Sequence, residues 1–126
     1  QKNANQVAKF LSKQKNIEVL YPYKKNTKSF KLWKKYYSGS SGLMGIKIKV
    51  KNKKLVDKFV NSLKLFGHGY SWGGFESLAL HQEIKEQGNR KYLNLNKNDH
   101  IVRLHVGLED PIDLIRDISN SLKFLK

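Results

Sequence analysis

The sequence contains no cysteine, and no part of it approaches the roughly 20 consecutive apolar residues that a membrane-spanning helix needs. Without cysteine there is no disulfide and no thiolate zinc site, which is typical of a protein in a reducing compartment. No charged segment followed by an apolar one opens the chain at Gln1, so we expect no secretory leader. These absences predict a cytoplasmic protein with no membrane partner.

Acidic residues are also few: 10 aspartates and glutamates stand against 25 lysines and arginines, which gives a net charge of +15. Such a charge, and the mixture of lysine and aromatic residues over 31–37, would suit nucleic acid. However, 22 of the basic residues are lysines spread along the chain, and only 3 are arginines, the side chain that reads guanine and phosphate with two parallel bonds. A basic nucleic-acid-binding domain is therefore kept only as an alternative.

The four histidines, at positions 68, 81, 100 and 105, show no close pair of the His-x-x-x-His kind. A metal site needs several ligands that converge on one point. We therefore predict that these histidines lie on the surface or pack inside the fold, and we predict no metal site.

The periodicity of apolar residues predicts one domain over residues 1–126, since this length is sufficient for a core of its own. It predicts helices over 4–14, 28–37, 52–66 and from 110 to the end, and strands over 17–20, 43–51 and 101–106. The segment 70–80 is expected to be extended but broken by glycine, and 82–99 to be a surface loop with at most one helical turn. The fold class is α/β: a two-layer sandwich whose small, mainly antiparallel sheet is covered by helices on one face.

The strand over 43–51 alternates, with Met44, Ile46, Ile48 and Val50 on one side and lysines 47, 49 and 51 on the other. This pattern predicts a strand with one buried face and one face in water.

Two segments concentrate unusual residues. The first, Gly69-Tyr70-Ser71-Trp72-Gly73-Gly74-Phe75-Glu76-Ser77-Leu78, places glycines and large aromatics around a serine, and by itself it could be a tight turn with packed aromatic side chains. The second runs from Val102 to Asp110 and holds Arg103 among apolar neighbours. A buried, unpaired guanidinium is costly, so this arginine predicts an anionic partner.

Together with three earlier elements, these segments resemble the C-terminal part of the pyridoxal-phosphate (PLP) enzymes of cysteine and methionine metabolism, which are fold-type I enzymes. The earlier elements are Val19-Leu20-Tyr21-Pro22, the strand entry Gly39 to Leu43, and the amphipathic helix before Gly67. The resemblance covers essentially the whole chain. Trp72 after Ser71 indicates the cystathionine β-lyase branch, because related γ-synthases and γ-lyases commonly carry leucine there.

The resemblance implies roles for three residues. Arg103 would bind the α-carboxylate of an amino-acid substrate with two parallel bonds, and Ser71 and Trp72 would line the substrate side of the cofactor pocket. The complete enzyme would use PLP as an electron sink and cleave cystathionine to homocysteine, pyruvate and ammonia.

The same resemblance shows what these residues do not supply. The family's Schiff-base lysine lies in a Ser/Thr-x-x-Lys-Tyr-x-x-Gly-His-type motif, and this sequence contains neither that motif nor a Gly-rich phosphate cradle. We therefore assign no catalytic residue and expect no cofactor bound to this chain alone. The expected partner is a large PLP-binding domain, absent here or on a separate chain.

Three interpretations remain at this point. The leading one is the C-terminal small domain of a cystathionine β-lyase-like enzyme, inactive by itself. The second is a non-enzymatic fragment that binds a partner or self-associates through its former interface, and the third is the nucleic-acid-binding domain. The first two predict that Tyr70, Trp72 and Phe75 are more exposed than aromatics in a complete domain usually are.

Overall fold

A computed structural model describes residues 1–25, 27–84 and 87–126 of the chain. The helices in these residues are α1 (Lys2–Leu11), α2 (Lys28–Tyr36), α3 (Lys53–Asn61), α4 (Gln87–Tyr92) and α5 (Pro111–Ser121), with a 3₁₀ turn at Leu122–Leu125. The strands are β1 (Ile17–Leu20), β2 (Leu43–Lys49), β3 (Gly67–His68), β4 (Leu78–Gln82) and β5 (Asp99–His105). None of the helices in the described ranges is long and apolar enough to cross a membrane.

The strands form one sheet in the order β1-β2-β5-β4-β3, in which only the short β3–β4 pair is parallel. Ile46 pairs with Val102 and Met44 with Leu104, so that one face of the sheet is apolar at its centre. Helices α1, α3 and α5 pack on this face and close the core. The predicted α/β fold with a mainly antiparallel sheet is confirmed; α1, α3 and α5 cover one face of the sheet, and α2 borders the other.

Local sequence signals explain the beginnings of the helices. The side chain of Asn52 accepts a hydrogen bond from the Lys54 amide and caps α3. The side chain of Asp110 accepts one from the Ile112 amide, and Pro111 occupies the first position of α5. Thr27 caps α2 in the same way, by accepting from the Phe30 amide.

The predicted end of α3 was wrong. The helix ends at Asn61 and not near Phe66, although Leu63 and Phe66 are buried as the pattern requires. The reason is the buried carboxylate of Asp117 on α5, which accepts hydrogen bonds from the amides of Lys64 and Leu65 at 2.8–3.0 Å. These amides therefore do not donate to the carbonyl oxygens four residues earlier, as they would in a continuing helix.

Two further differences concern β2 and the loop after β4. Lys47 was predicted to face water, but it is only 7% exposed, because its ammonium lies 2.7 Å from the carboxylate of Glu18, its partner across β1 and β2. In the predicted loop over 82–99, α4 is a six-residue helix and longer than the single turn expected. Positions 85 and 86 of that loop lie outside the described residues.

Helix α2 differs from α1, α3 and α5, since none of its residues is buried. It borders the second face of the sheet, where Leu20, Gly45 and Arg103 form a row across β1, β2 and β5. The helix leaves a groove between itself and this row, and the candidate site lies there.

Candidate functional site

Arg103 lies at the centre of the sheet on the face that α1, α3 and α5 do not cover. Its neighbours across the strands are Gly45 on β2 and Leu80 on β4. Its Nη2 donates hydrogen bonds to the carbonyl oxygens of Gly69, at 2.8 Å, and of Ser71, at 3.2 Å. The structure therefore brings the guanidinium against the loop over 69–77, which we call the aromatic loop.

Ser71 and Trp72 have different positions relative to that guanidinium. Ser71 contacts it through its main-chain carbonyl, while its side chain is exposed. Trp72 follows directly and is 62% exposed, and Tyr70 and Phe75 are 81% and 71% exposed. The substrate-binding roles of Arg103, Ser71 and Trp72 remain predictions, but the three residues do lie at one place in the fold.

The end of the aromatic loop is fixed by close contact with the residues after β5. A Cβ atom on Gly107 would overlap the carbonyl oxygen of Phe75 and lie 2.7 Å from the carbonyl carbon of Glu76. The amide of Leu108 donates to the same Phe75 oxygen at 2.8 Å. Only glycine allows this approach of the two main chains.

Glu109 reinforces the contact through Ser77. The Ser77 amide and hydroxyl each donate to the Glu109 carboxylate at 2.7 Å, and the buried Ser77 hydroxyl accepts from the Gly107 amide at 2.9 Å. Burial alone would raise the pKa of the Glu109 carboxyl, but the two bonds from Ser77, together with nearby His105, lower it below its ordinary value. The network is therefore complete above the ordinary pKa of glutamate and weakens as the pH falls through the lowered one.

His105 holds the middle of the aromatic loop. Its ring is buried, and Nε2 lies 3.2 Å from the amide nitrogen of Gly73 and 3.0 Å from the carbonyl oxygen of Gly74. With its proton on Nε2, the ring donates from this nitrogen to Gly74, and the unprotonated Nδ1, 3.4 Å from the Gly73 amide nitrogen, accepts from Gly73. Gly73 has a φ of +86°, a conformation that glycine adopts without strain, so the chain turns at this point.

The other histidines each have a partner in the structure too. His68 contacts the Val60 carbonyl, His81 contacts the Asp57 carboxylate at 2.7 Å, and His100 contacts the Val50 carbonyl. Burial lowers the pKa of His100, which favours its neutral form. In the described ranges no three His, Asp or Glu side chains converge as a metal site requires.

A groove of about 710 Å³ leads from Arg103 toward α2. Its walls are mostly apolar and aromatic, and they include Leu32, Trp33, Tyr36 and Tyr37 of the α2 segment. The sequence pattern was not interpreted as such a wall. The signal for it was the spacing of Leu32 and Tyr36, and of Trp33 and Tyr37, four positions apart in a lysine-rich segment. The volume lies in the range of small-molecule sites, in which apolar walls surround a few polar groups.

The far wall of the groove is held by hydrogen bonds to the segment before β2. The hydroxyl of Tyr21 donates to the carbonyl of Ser41 at 2.8 Å and contacts the hydroxyl of Ser40 at 2.7 Å. Burial raises the pKa of Tyr21, so this hydroxyl keeps its proton and remains a donor. The indole Nε1 of Trp33 donates to the carbonyl of Gly39 at 2.9 Å, which fixes α2 to the same segment.

PLP needs an amine to carry it, a partner for its ring nitrogen and a cradle for its phosphate. The residues that line the groove include no lysine, aspartate or glutamate, and Arg103 is the one cation among them. These residues do not fit a complete PLP site. They fit one anionic group, held at the end of an apolar groove.

Comparisons with known proteins show the family of the chain. The family model described as "Cys/Met metabolism PLP-dependent enzyme" matches residues 1–123. A cystathionine β-lyase of Bordetella avium is 38% identical over 122 residues, an L-alanine/L-glutamate racemase of Wolbachia pipientis 36% over 124, and a cystathionine γ-lyase of Mus musculus 36% over 131. These matches cover 96–97% of this chain.

The chain spans only about 30% of the length of these relatives. A solved structure of cystathionine γ-synthase from Xanthomonas oryzae pv. oryzae has a TM-score of 0.84 over 99% of this chain and 33% of that protein. Its 24% identity shows the fold alone. The family model and the curated relatives together show that the chain belongs to the PLP-dependent enzymes of cysteine and methionine metabolism.

Proposed function

We propose that these residues are the C-terminal, substrate-carboxylate-binding domain of a cystathionine β-lyase-like PLP enzyme. The observation that carries the proposal is the position of Arg103, a guanidinium on the uncovered face of the sheet, at the end of an apolar groove and beside the loop that holds Ser71 and Trp72. The complete enzyme would convert cystathionine and water to homocysteine, pyruvate and ammonia.

Arg103 suits a carboxylate because it retains donors that the fold does not use. Only its Nη2 bonds to main-chain oxygens, which leaves Nη1 and Nε without a partner in the described residues. A guanidinium between apolar walls binds an anion more strongly than one in water, since the surroundings screen the charge less. Ser71 and Trp72 would form the adjacent wall against the substrate.

The choice of β-elimination among the family's reactions rests on Trp72. The curated relatives include β-lyases, a γ-lyase and a racemase at similar identities, so overall similarity does not select one reaction. The tryptophan directly after Ser71 supports the β-lyase branch, and its side chain stands free to meet a substrate.

The cofactor would come with the rest of the enzyme. The groove has no lysine, and the chain spans about 30% of its relatives' length, which leaves room for a separate cofactor-binding domain. By "complete protein" we mean these 126 residues together with that domain, on the same or another chain. When bound, PLP would withdraw electrons from the substrate's α-carbon.

The proposal is tested by the products that the complete protein forms from L-cystathionine. Cleavage of the Cβ–S bond gives the three-carbon keto acid pyruvate, whereas cleavage of the Cγ–S bond gives the four-carbon 2-oxobutanoate. We expect pyruvate and homocysteine in equal amounts, and no keto acid from the 126 residues alone. A four-carbon product, or pyruvate released by the isolated chain, would contradict the proposal.

The aromatic loop is also the proposed contact with the cofactor-binding domain. Tyr70, Trp72 and Phe75 are exposed together, and Leu108, 80% exposed, is joined to Phe75 by a main-chain hydrogen bond. Monomeric proteins seldom leave large contiguous apolar patches in water. The part of the relatives' length that these residues do not span would cover this patch.

Without that domain, copies of the chain should associate through the patch. The net charge of +15 opposes association at low salt, and salt screens this repulsion. Sedimentation velocity should therefore show larger species at high salt than at low salt. Binding to nucleic acid would have the opposite salt dependence.

Two matched tyrosine variants locate the contact. Tyr70→Ser, in the patch, should reduce the association, whereas Tyr92→Ser, at an equally exposed position on α4, should not. A strict monomer at every salt concentration, or equal effects of the two variants, would count against the proposed surface.

A further inference from the structure

The aromatic loop and a bound carboxylate would compete for the same nitrogen of Arg103. A guanidinium binds a carboxylate with two parallel bonds through Nη1 and Nη2, or through Nε and Nη2, and both arrangements use Nη2. In this structure Nη2 already donates to two acceptors, the Gly69 carbonyl at 2.8 Å and the Ser71 carbonyl at 3.2 Å.

We infer that a carboxylate binds Arg103 with two bonds only by displacing a carbonyl of the aromatic loop, so that the segment 69–72 moves when the ligand binds. The longer and weaker bond, to Ser71, would be released first. The inference rests on the carboxylate role proposed above and adds a conformational response to it. Tyr70 and Trp72 lie on the moving segment, so their positions change when a carboxylate occupies the site.

The structure limits the movement to a short piece of chain. Before it, Gly67 and His68 pair with β4. After it, His105 holds Gly73 and Gly74, and the Leu108 amide holds the Phe75 carbonyl. Between these fixed points, the described side-chain hydrogen bonds to residues 69–72 are the two from Arg103. The turn at Gly73, with its φ of +86°, is the natural pivot.

The movement also has a direct consequence for the exposed tryptophan. Trp72 is attached one residue beyond the Ser71 carbonyl, so release of that carbonyl reorients the indole relative to Arg103. In the free chain Arg103 holds the loop in place, and in the liganded chain it holds the carboxylate. The same side chain therefore serves as a latch for the loop and as the anion site.

The test is an NMR titration of the 126-residue chain with sodium acetate, at an ionic strength kept constant with sodium chloride. Acetate supplies the carboxylate and nothing else. We expect the Arg103 Nε–H signal and the amide signals of residues 70–72 to shift together with one apparent dissociation constant, while the amides of 74–77 stay in place. The Nε–H signal of Arg116, which pairs with exposed Asp113, serves as the internal control.

The outcomes separate the inference from the proposed function. If the Arg103 signal shifts and the amides of 70–72 do not, the carboxylate binds without displacing the loop, and the inference is wrong while the carboxylate role stands. If neither responds, both fail. If the loop responds without Arg103, acetate binds elsewhere and the inference is again wrong.

A pair of variants adds a second readout that needs no ligand. Arg103→Met removes the donors and keeps an apolar stem, so its amide signals of 70–72 should already lie near the acetate-saturated positions and should no longer respond to acetate. Arg116→Met should titrate like the unaltered chain. An Arg103→Met spectrum that overlays the free wild-type loop signals would overturn the latch.

Discussion

Arg103→Lys in the complete protein should lower kcat/KM for L-cystathionine by about 10- to 100-fold, the loss expected when one charge-assisted hydrogen bond to a carboxylate disappears. Lysine keeps the positive charge but cannot donate two parallel bonds from a plane. The position itself tolerates the change, because the side chain is only partly buried and the groove is open beside it. The measurement is steady-state pyruvate release over a range of cystathionine concentrations.

The matched control is Arg116→Lys. Arg116 lies on the exposed face of α5 and pairs with Asp113 at 2.9 Å, where ion pairs contribute little. This variant should keep the wild-type kcat/KM. Equal activities of the Arg103→Lys and wild-type proteins would contradict the carboxylate role.

Gly107→Ala should destabilise the fold by about 3 kcal/mol or more, because its Cβ has no space beside the main chain of Phe75 and Glu76. The backbone atoms there cannot rotate away as a flexible side chain would. Relief requires separation of the aromatic loop from the residues after β5, which also strains the bonds among Ser77, Gly107 and Glu109. The thermal midpoint, measured by circular dichroism, should fall by roughly 10 °C or more.

Gly74→Ala provides the comparison within the same loop. A Cβ on Gly74 meets no atom within 4 Å, and its φ is not positive. The alanine should therefore leave the thermal midpoint nearly unchanged. Similar midpoints for the two variants would show that the close contact at Gly107 does not hold the loop.

Much of the architecture could be predicted because its signals are local. The apolar run that stops before Tyr21-Pro22 marks β1 with the correct bounds, and Asp110-Pro111 marks the start of α5. The alternation in β2 identifies the buried residues Met44, Ile46 and Ile48. In each case, neighbouring residues alone determine the structure.

The errors come from contacts between distant residues. The end of α3 depends on Asp117, which lies more than 50 positions further along the chain. The burial of Lys47 depends on its register with Glu18. No periodicity within one segment contains this information.

The candidate site was only partly predictable for the same reason. A lone arginine in an apolar strand indicates an anion, but its position beside Ser71 follows from the pairing of β4 and β5 and the turn at Gly73. The α2 wall of the groove and the supports from His105 and Glu109 come from tertiary packing. The resemblance to a family indicated the motifs, and the structure shows which backbone groups they contact.

Contact between Arg103 and the substrate's α-carboxylate can be measured by changing both partners. The substrates are L-cystathionine and its analogue in which the carboxylate of the three-carbon half is an amide, and the proteins are the wild-type and Arg103→Lys forms of the complete protein. If the two groups contact each other, the wild type should strongly prefer the carboxylate, and Arg103→Lys should lose most of that preference, because the two changes remove the same interaction. A preference of the same size in both proteins would contradict this contact.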